Sequence, residues 1–266
     1  MVKGLYTAYT GMIEEVRRMD VMTNNLANAD TTGYKKEGTV NQAFKDQLAI
    51  KIKDTSEAFY ERRLGDVNMG VKIGETYRDY SQGSFRVTDN ALDVALDGEG
   101  FFAVEFTSKA GVTSVKYTRD GSFTMDRDGY LRTKDGDYIL NQNGAMNGTP
   151  GEASRIRLNP NQEILIETDG SIYQEGNLVG RIGVVDFENY DYLQKYGENM
   201  FDAVAGAAKV ASGALVEQGT LEMSNVNVVS EMVEMITISR AYEANQKIIQ
   251  TMDATLDKAV NTVGQV

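Results

Sequence analysis

The C-terminal stretch, residues 221–263, reads LEMSNVNVVSEMVEMITISRAYEANQKIIQTMDATLDKAVNTV, without glycine or proline. Because glycine and proline are the residues that most disfavour a helix interior, nothing inside the stretch interrupts a helix. Apolar side chains recur in it every seven residues, at Val228, Met235, Tyr242, Ile249, Leu256 and Val263. This spacing places them along one stripe of a long helix, the stripe that a partner helix would cover.

The positions between these repeats are less uniform. Met232 and Val260 are apolar, but polar side chains occupy the other intervening positions, at Ser239, Gln246 and Asp253. The pattern therefore favours a helix that packs among several neighbours over an isolated two-stranded zipper. Asn225 and Asn227 are the residue type that caps a helix N-terminus, so we predict that one of them begins the helix.

A second apolar stripe lies near the N-terminus, with spacings of 4, 3, 4, 3, 4 and 3 residues. It consists of Leu5, Tyr9, Met12, Val16, Met19, Thr23 and Leu26. This is the a/d pattern of a coiled-coil helix, and the Asn and Gly residues at 24–33 predict its end. The two stripes either close on each other within one chain or meet the stripes of other subunits.

Between the two predicted helices the pattern changes to short alternating strands separated by Asp-Gly pairs and by Asn143-Gly144, which favour tight hairpin turns. The predicted fold class is therefore α+β: long N- and C-terminal helices form a coiled-coil-like pair, and an antiparallel all-β domain is inserted between them. The predicted domains are a helical assembly domain of residues 1–35 and 216–266, an extended connector of residues 36–74, a β domain of residues 75–200 and a return connector of residues 201–215.

The composition argues against several classes of function. The chain has 266 residues, a formal net charge of -12 and no His or Cys. An acidic surface is a poor partner for nucleic acid or an anionic membrane, and the lack of His removes the commonest general base near neutral pH. No apolar run approaches the roughly 18 residues of a membrane-spanning helix, and the N-terminus lacks the pattern of a cleaved signal. We therefore expect no transmembrane segment and no nucleic-acid partner.

Patterns that resemble ligand sites each have a simpler structural explanation. Residues 98–103 begin like a dinucleotide-binding loop, but they end in alanine and predict a strand where the motif needs a helix. Residues 124–135 partly match a calcium loop, but Thr124 stands at the first ligand position and the flanks predict strands, which favours a hairpin turn. Acidic residues are abundant but cluster at turns, and there is no Trp for sugar stacking. We expect no catalytic residue, no metal and no cofactor.

Five blocks of sequence spread over nearly the whole chain carry a specific order of residues. They are LYxAxxGM at 5–12, NNLANxxTTGYK at 24–35, LDVALDGEGFF at 92–102, YTRDGSF at 117–123, and SNV with RAYExN at 224–226 and 240–245. Together these blocks resemble the flagellar basal-body rod and hook family. Within that family, the length of the chain favours a rod subunit over the larger hook subunit.

The resemblance implies a structural subunit rather than an enzyme. Members of the family are exported unfolded by the flagellar type III apparatus without cleavage, and they polymerise helically with themselves and with other rod and hook subunits. Their terminal helices pack as the inner layer of the axial tube of the basal body, outside the cytoplasmic membrane, and the β domain lies outside that layer. The rod transmits torque from motor to hook.

The apolar stripes then become the predicted assembly interface, since large apolar side chains on marginal helices favour burial by neighbours. This interface consists of Leu5, Tyr9, Met12, Val16, Met19, Leu26, Val228, Met232, Met235, Tyr242, Ile249, Leu256 and Val263. Four amides on the helices would either bond across subunits or be solvated: Asn24, Asn25, Asn245 and Gln246. The alternatives are a paralogous rod or hook subunit, a monomeric binding module and a carbohydrate hydrolase.

Overall fold

The computed structural model describes residues 2–51, 62–197 and 199–263, and the chain divides into two compact units. The first unit contains both chain ends together with Lys36–Asp79, and its ends are Met1–Ala27 and Val226–Val266. The second unit contains Asn28–Lys35 and Tyr80–Asn225. The first unit is therefore assembled from three separate pieces of the sequence.

The described residues form three α-helices: α1 Val2–Ala27, α2 Gln142–Asn147 and α3 Val228–Lys258. α1 ends where the Asn-rich block predicts. α3 begins later than residue 221, because Asn227 caps its N-terminus by accepting a hydrogen bond from the Ser230 N–H at 3.1 Å. Asn225 instead donates to the Ser81 carbonyl. A π-helical turn, Ala259–Val263, follows α3. No described helix is long and apolar enough to span a membrane.

The stretch expected as an extended connector, residues 36–74, contains strands in the structure. The described strands of the first unit are β1 Glu37–Ala43, β2 Gln47–Lys51, β3 Arg62–Val67 and β4 Val71–Arg78. β1 pairs with β4 and β2 pairs with β3, both antiparallel. Residues 52–61 of the expected connector lie outside the described residues. These strands are polar on most positions, which is why their periodicity is weak in the sequence.

The second unit is mainly antiparallel sheet. Its strands are β5 Phe85–Val87, β6 Val94–Asp97, β7 Phe101–Thr107, β8 Thr113–Thr118, β9 Phe123–Met125, β10 Leu131–Thr133, β11 Tyr138–Ile139, β12 Ile164–Ile166, β13 Ser171–Gln174, β14 Asn177–Arg181, β15 Val184–Phe187, β16 Leu193–Tyr196, β17 Met200–Ala203, β18 Lys209–Ala211, β19 Leu215–Gln218 and β20 Thr220–Glu222. A nine-stranded sheet runs in the order β16-β17-β8-β7-β11-β10-β9, with β15 beside β7 and β18 beside β15. The other pairings are β12-β13-β14, β19-β6 and β20-β5.

Strand β7 explains how this unit builds two cores. Successive residues of a strand point to opposite faces, so Phe102 and Val104 enter one apolar cluster and Phe101 and Ala103 enter another. All four are fully buried. The strand predicted at this position is confirmed, and its burial makes it a core strand.

Two predicted details of the β region differ from the structure. The pair Asn143-Gly144 was expected as a hairpin turn, but it lies in α2, because the Asn141 side chain accepts a hydrogen bond from the Gly144 N–H at 2.8 Å and so begins a helix. The inserted region is therefore not purely β. In the expected return connector, residues 201–215, the structure places β18, which pairs with β15.

Candidate assembly interface

The two terminal helices lie against each other through small residues of α1. A Cβ atom at Gly4 would lie 2.6 Å from Met252 Cε, and one at Gly11 would lie 3.0 Å from Asn245 Nδ2. Both distances are shorter than a Cβ atom normally has to a neighbouring atom. Glycine therefore leaves room for the ends of the Met252 and Asn245 side chains to lie against α1 at these two points.

Polar contacts continue the line of contact between α1 and α3 toward the C-terminal end of α1. Arg18 Nη2 lies 3.2 Å from Glu234 Oε1, and Asn25 Nδ2 donates to Glu231 Oε2 at 3.2 Å. The partner numbers on α3 fall as the numbers on α1 rise, from Met252 to Glu231. The two helices therefore run antiparallel where they touch.

Glu231 is a fully buried carboxylate at the end of this line. It accepts the hydrogen bond from Asn25, and its other oxygen contacts the Lys36 ammonium. The hydrogen bond to Glu231 raises the pKa of Lys36 above its usual range. Asn25 also donates to the Glu37 carbonyl at 2.8 Å and accepts from the Glu37 N–H at 3.0 Å, so this amide fixes the start of β1 within the chain.

On α1 the side that faces α3 is rotated by one residue from the predicted apolar stripe. The positions one residue before the stripe are all covered or half-covered: Gly4, Ala8, Gly11, Glu15, Arg18, Met22 and Asn25. In contrast, Tyr9 is 50% exposed and Val16 is 45% exposed, while the remaining predicted residues are half-buried: Leu5, Met12, Met19 and Leu26. The sequence signal for the contact side was the run of small residues, which hydrophobic periodicity does not detect.

On α3, as on α1, some residues of the predicted stripe are half-buried and others are exposed. Met235, Tyr242, Ile249 and Leu256 are half-buried, whereas Val228 is 38% exposed and Met232 is 48% exposed. Val263 lies outside the residues whose side chains the structure describes. The positions that complete the covered side are Glu231, Ile238, Asn245 and Met252. They lie three residues after Val228 and its repeats rather than four, and two of them are polar, so the periodicity missed them.

Large apolar side chains therefore remain on the solvent sides of both helices. On α1 they are Tyr6, Tyr9, Ile13 and Val16, and on α3 they are Val228, Val229, Met232, Val233, Ile236 and Ile248. A groove of about 680 Å³ on this surface is lined by Arg18, Val229, Val233, Glu234 and Thr237, among others. Rows of exposed large apolar side chains such as these are candidate sites for protein association.

Asp126 of the calcium-loop-like pattern has a structural partner. Asp126 forms an ion pair with Arg132 at 2.6 Å, and its backbone carbonyl accepts from the Gly129 N–H as part of the turn. Within the described parts of the chain, no group of three or more Asp, Glu, Cys or His side chains is placed to hold a metal ion.

Three family profiles match the chain in order. They are described as flagella basal body rod protein at residues 5–35, flagellar hook protein FlgE/F/G D1 domain at residues 95–174, and flagellar basal body rod FlgEFG protein C-terminal at residues 217–262. The first and third cover α1 and α3, and the second falls in the β unit. The first and third matches also extend into the second unit, at residues 28–35 and 217–225.

Full-length relatives agree with these matches. The flagellar basal-body rod protein FlgG of Bacillus subtilis is 33% identical over 98% of this chain and 99% of the relative. FlgG of Borreliella burgdorferi is 34% identical over 98% of both chains, and the hook-basal body complex protein FlhO of Bacillus subtilis is 33% identical over 100% of both. FlgG is the distal rod protein. The chain therefore belongs to the flagellar basal-body rod protein family, whose members are structural components of the axis of the basal body.

Proposed function

We propose that this chain polymerises helically with copies of itself into the distal rod, and that the outer sides of α1 and α3 form the subunit interface. The observation that carries the proposal is the exposed apolar surface on both helices, to which the predicted residues Tyr9, Val16, Val228 and Met232 belong. Full burial of each such side chain stabilises by roughly 1.5–3 kcal/mol. The dilute chain lacks this stabilisation, and contact with neighbouring subunits can supply it. A paralogous rod or hook subunit is the second candidate, and it is favoured by the similarity to FlhO.

The wider role follows from the family. In this proposal the rod transmits torque to the hook and lies outside the cytoplasmic membrane. The chain reaches it through the flagellar type III export apparatus and contacts other rod and hook subunits. No catalysis is part of the role. The half-buried predicted residues of both stripes, such as Met12 and Met235, form the margin of the interface next to the line where α1 meets α3.

Self-association of the purified full chain tests this proposal. We expect sedimentation and electron microscopy to detect filaments above a critical concentration, because the association of subunits depends on their concentration by mass action. Hydrogen exchange should slow on assembly in Val2–Ala27 and Val228–Lys258, with little change in the β unit. A chain that stays monomeric at all concentrations, with both helices already fully protected, would instead be a self-contained binding module.

We also propose that α1 and α3 form an antiparallel coiled-coil-like pair within one chain, since Gly4, Gly11, Arg18 and Asn25 contact α3 at seven-residue intervals. The chain has no Cys, so introduced thiols report the register cleanly. The double variant Gly11→Cys/Asn245→Cys should form an intramolecular disulfide in dilute solution under mild oxidation. The matched variant Gly11→Cys/Gln246→Cys places the second thiol on the exposed side and should not. Equal cross-linking in both would rule out a defined register.

A further inference from the structure

A buried carboxylate in the first unit has an oxygen without a partner. Glu14 of α1 is 4% exposed, and among the described residues its Oε1 has no hydrogen bond. The side chain lines a cavity of about 200 Å³ between α1 and strand β4. Thr10, Arg17, Phe44 and Lys72 also line this cavity.

The isolated chain is destabilised by this arrangement. An unpaired polar group out of contact with water costs about 1–3 kcal/mol, and more when it is charged. Burial, and then repulsion from Glu15, raises the pKa of the Glu14 carboxyl, while Arg18 opposes the change. Arg18 is already engaged with Glu15 and Glu234 at 3.2 Å each. Arg17 and Lys72 line the same cavity, but no ion pair within the described chain joins either of them to Glu14.

The cavity opens on the surface proposed above for assembly. Ile13, which is 38% exposed, lines the cavity and also belongs to the exposed apolar row of α1. A subunit that packs on this row would therefore reach the cavity. The site carries one anionic and two cationic side chains, so a neutral donor fits it better than a further cation.

We propose that the Glu14 cavity is a socket that receives a neutral hydrogen-bond donor, an Asn or Gln side chain, from a second copy of this chain. The inference rests on the proposed self-assembly and names one polar contact within it. Helix α3 carries exposed amides of this chemistry at Gln246 and Gln250. When the Glu14 carboxylate turns Oε1 toward the incoming amide, the donated hydrogen bond satisfies this oxygen, so the carboxylate weakens the free chain and strengthens the assembled one.

Replacement of Glu14 separates these two effects because they have opposite signs. Glu14→Met removes the acceptor at similar size, so we expect a more stable dilute chain but a critical concentration for assembly about tenfold higher. Glu14→Gln keeps an acceptor oxygen and loses the charge, so it should stabilise the dilute chain and assemble close to wild type. Glu163→Met, at an exposed position of the second unit, should change neither quantity.

The pH dependence of the dilute chain provides an independent readout. A carboxyl whose pKa is raised by folding stabilises the folded state fully below the unfolded value of 4.5, and that contribution is lost as the pH rises through the folded pKa. The free energy of unfolding of wild type should therefore fall relative to that of Glu14→Met as the pH rises above 4.5. Thermal or urea unfolding at low protein concentration measures the difference.

The outcomes separate the socket from the proposed function. If wild type does not self-associate, the proposed function fails and the socket fails with it. If wild type assembles and Glu14→Met assembles at the same concentration, only the socket is wrong, and solvent alone fills the cavity. A Glu14→Met chain that is less stable than wild type when dilute would show that Glu14 has a structural partner within its own chain.

Discussion

Glu222→Gln is expected to lower the free energy of unfolding of the second unit by about 3–5 kcal/mol, the range found when one member of a buried ion pair is removed. Glu222 is 1% exposed and lies between two buried cations. Lys35 Nζ is 2.6 Å from one carboxylate oxygen, and Arg119 Nη1 is 3.3 Å from the other. Glutamine has the same shape but leaves two positive charges without their counter-charge.

The surroundings of Glu222 leave little room for compensation. Its carboxylate also accepts from the Gly83 N–H at 3.0 Å, and its backbone carbonyl accepts from the Gly33 N–H at 2.8 Å. The Arg119 guanidinium packs over the Phe101 ring, 5.2 Å from the ring centre, so it cannot reach water without disturbing the core. This buried triad therefore fixes Asn28–Lys35 to the β unit.

Urea unfolding of the full chain followed by near-ultraviolet circular dichroism measures the change. The tyrosines and phenylalanines of the β core report it, and the transition should move to lower urea. Glu217→Gln is the matched control, because Glu217 lies on β19 five residues away but is exposed. A shift of similar size in both variants would contradict a special role for the buried triad.

Hydrophobic periodicity and turn chemistry predicted the larger elements of the fold. α1, α3 and the meander of β9, β10 and β11 follow from residues whose local preference agrees with their final surroundings. Gly33 and Gly121 lie in two of the sequence blocks that resemble the family. At both positions, backbone from a distant part of the chain leaves no room for a side chain. A Cβ atom would lie 2.5 Å from the Arg119 carbonyl carbon at Gly33, and 1.6 Å from the Val94 carbonyl oxygen at Gly121.

The side of each helix that meets its neighbour could not be predicted in the same way. The contact side of α1 is built on small residues such as Gly4 and Gly11, which carry little hydrophobic signal although they allow close approach. The buried carboxylates of Glu14, Glu222 and Glu231 are equally invisible, because a charged residue in a sequence is ordinarily assigned to solvent. The burial of Glu222 and Glu231 depends on partners that are distant in the chain, and only the structure brings those partners together.

Tyr9→Glu and Met232→Glu are expected to raise the critical concentration for assembly strongly while leaving the dilute chain intact. Tyr9 is 50% exposed and Met232 is 48% exposed, so substitution should change the free energy of unfolding by less than about 0.5 kcal/mol. In the proposed interface each change removes roughly 1.5–3 kcal/mol of apolar burial and adds a charge that must be desolvated. Since each 1.4 kcal/mol is about a factor of ten, the critical concentration should rise by at least about tenfold.

Two control variants show whether that effect belongs to the helices. Val112→Glu places the same charge at an apolar residue that is 64% exposed in the β unit, and it should assemble like wild type. Met22→Glu changes a residue that is 4% exposed, and it should lower the stability of the dilute chain itself, because it buries a charge. If Tyr9→Glu and Met232→Glu form filaments at the wild-type concentration, the exposed apolar sides of α1 and α3 do not contact neighbouring subunits. If both remain monomeric with an unchanged unfolding transition, the apolar side chains left uncovered in the single chain are what join one subunit to the next.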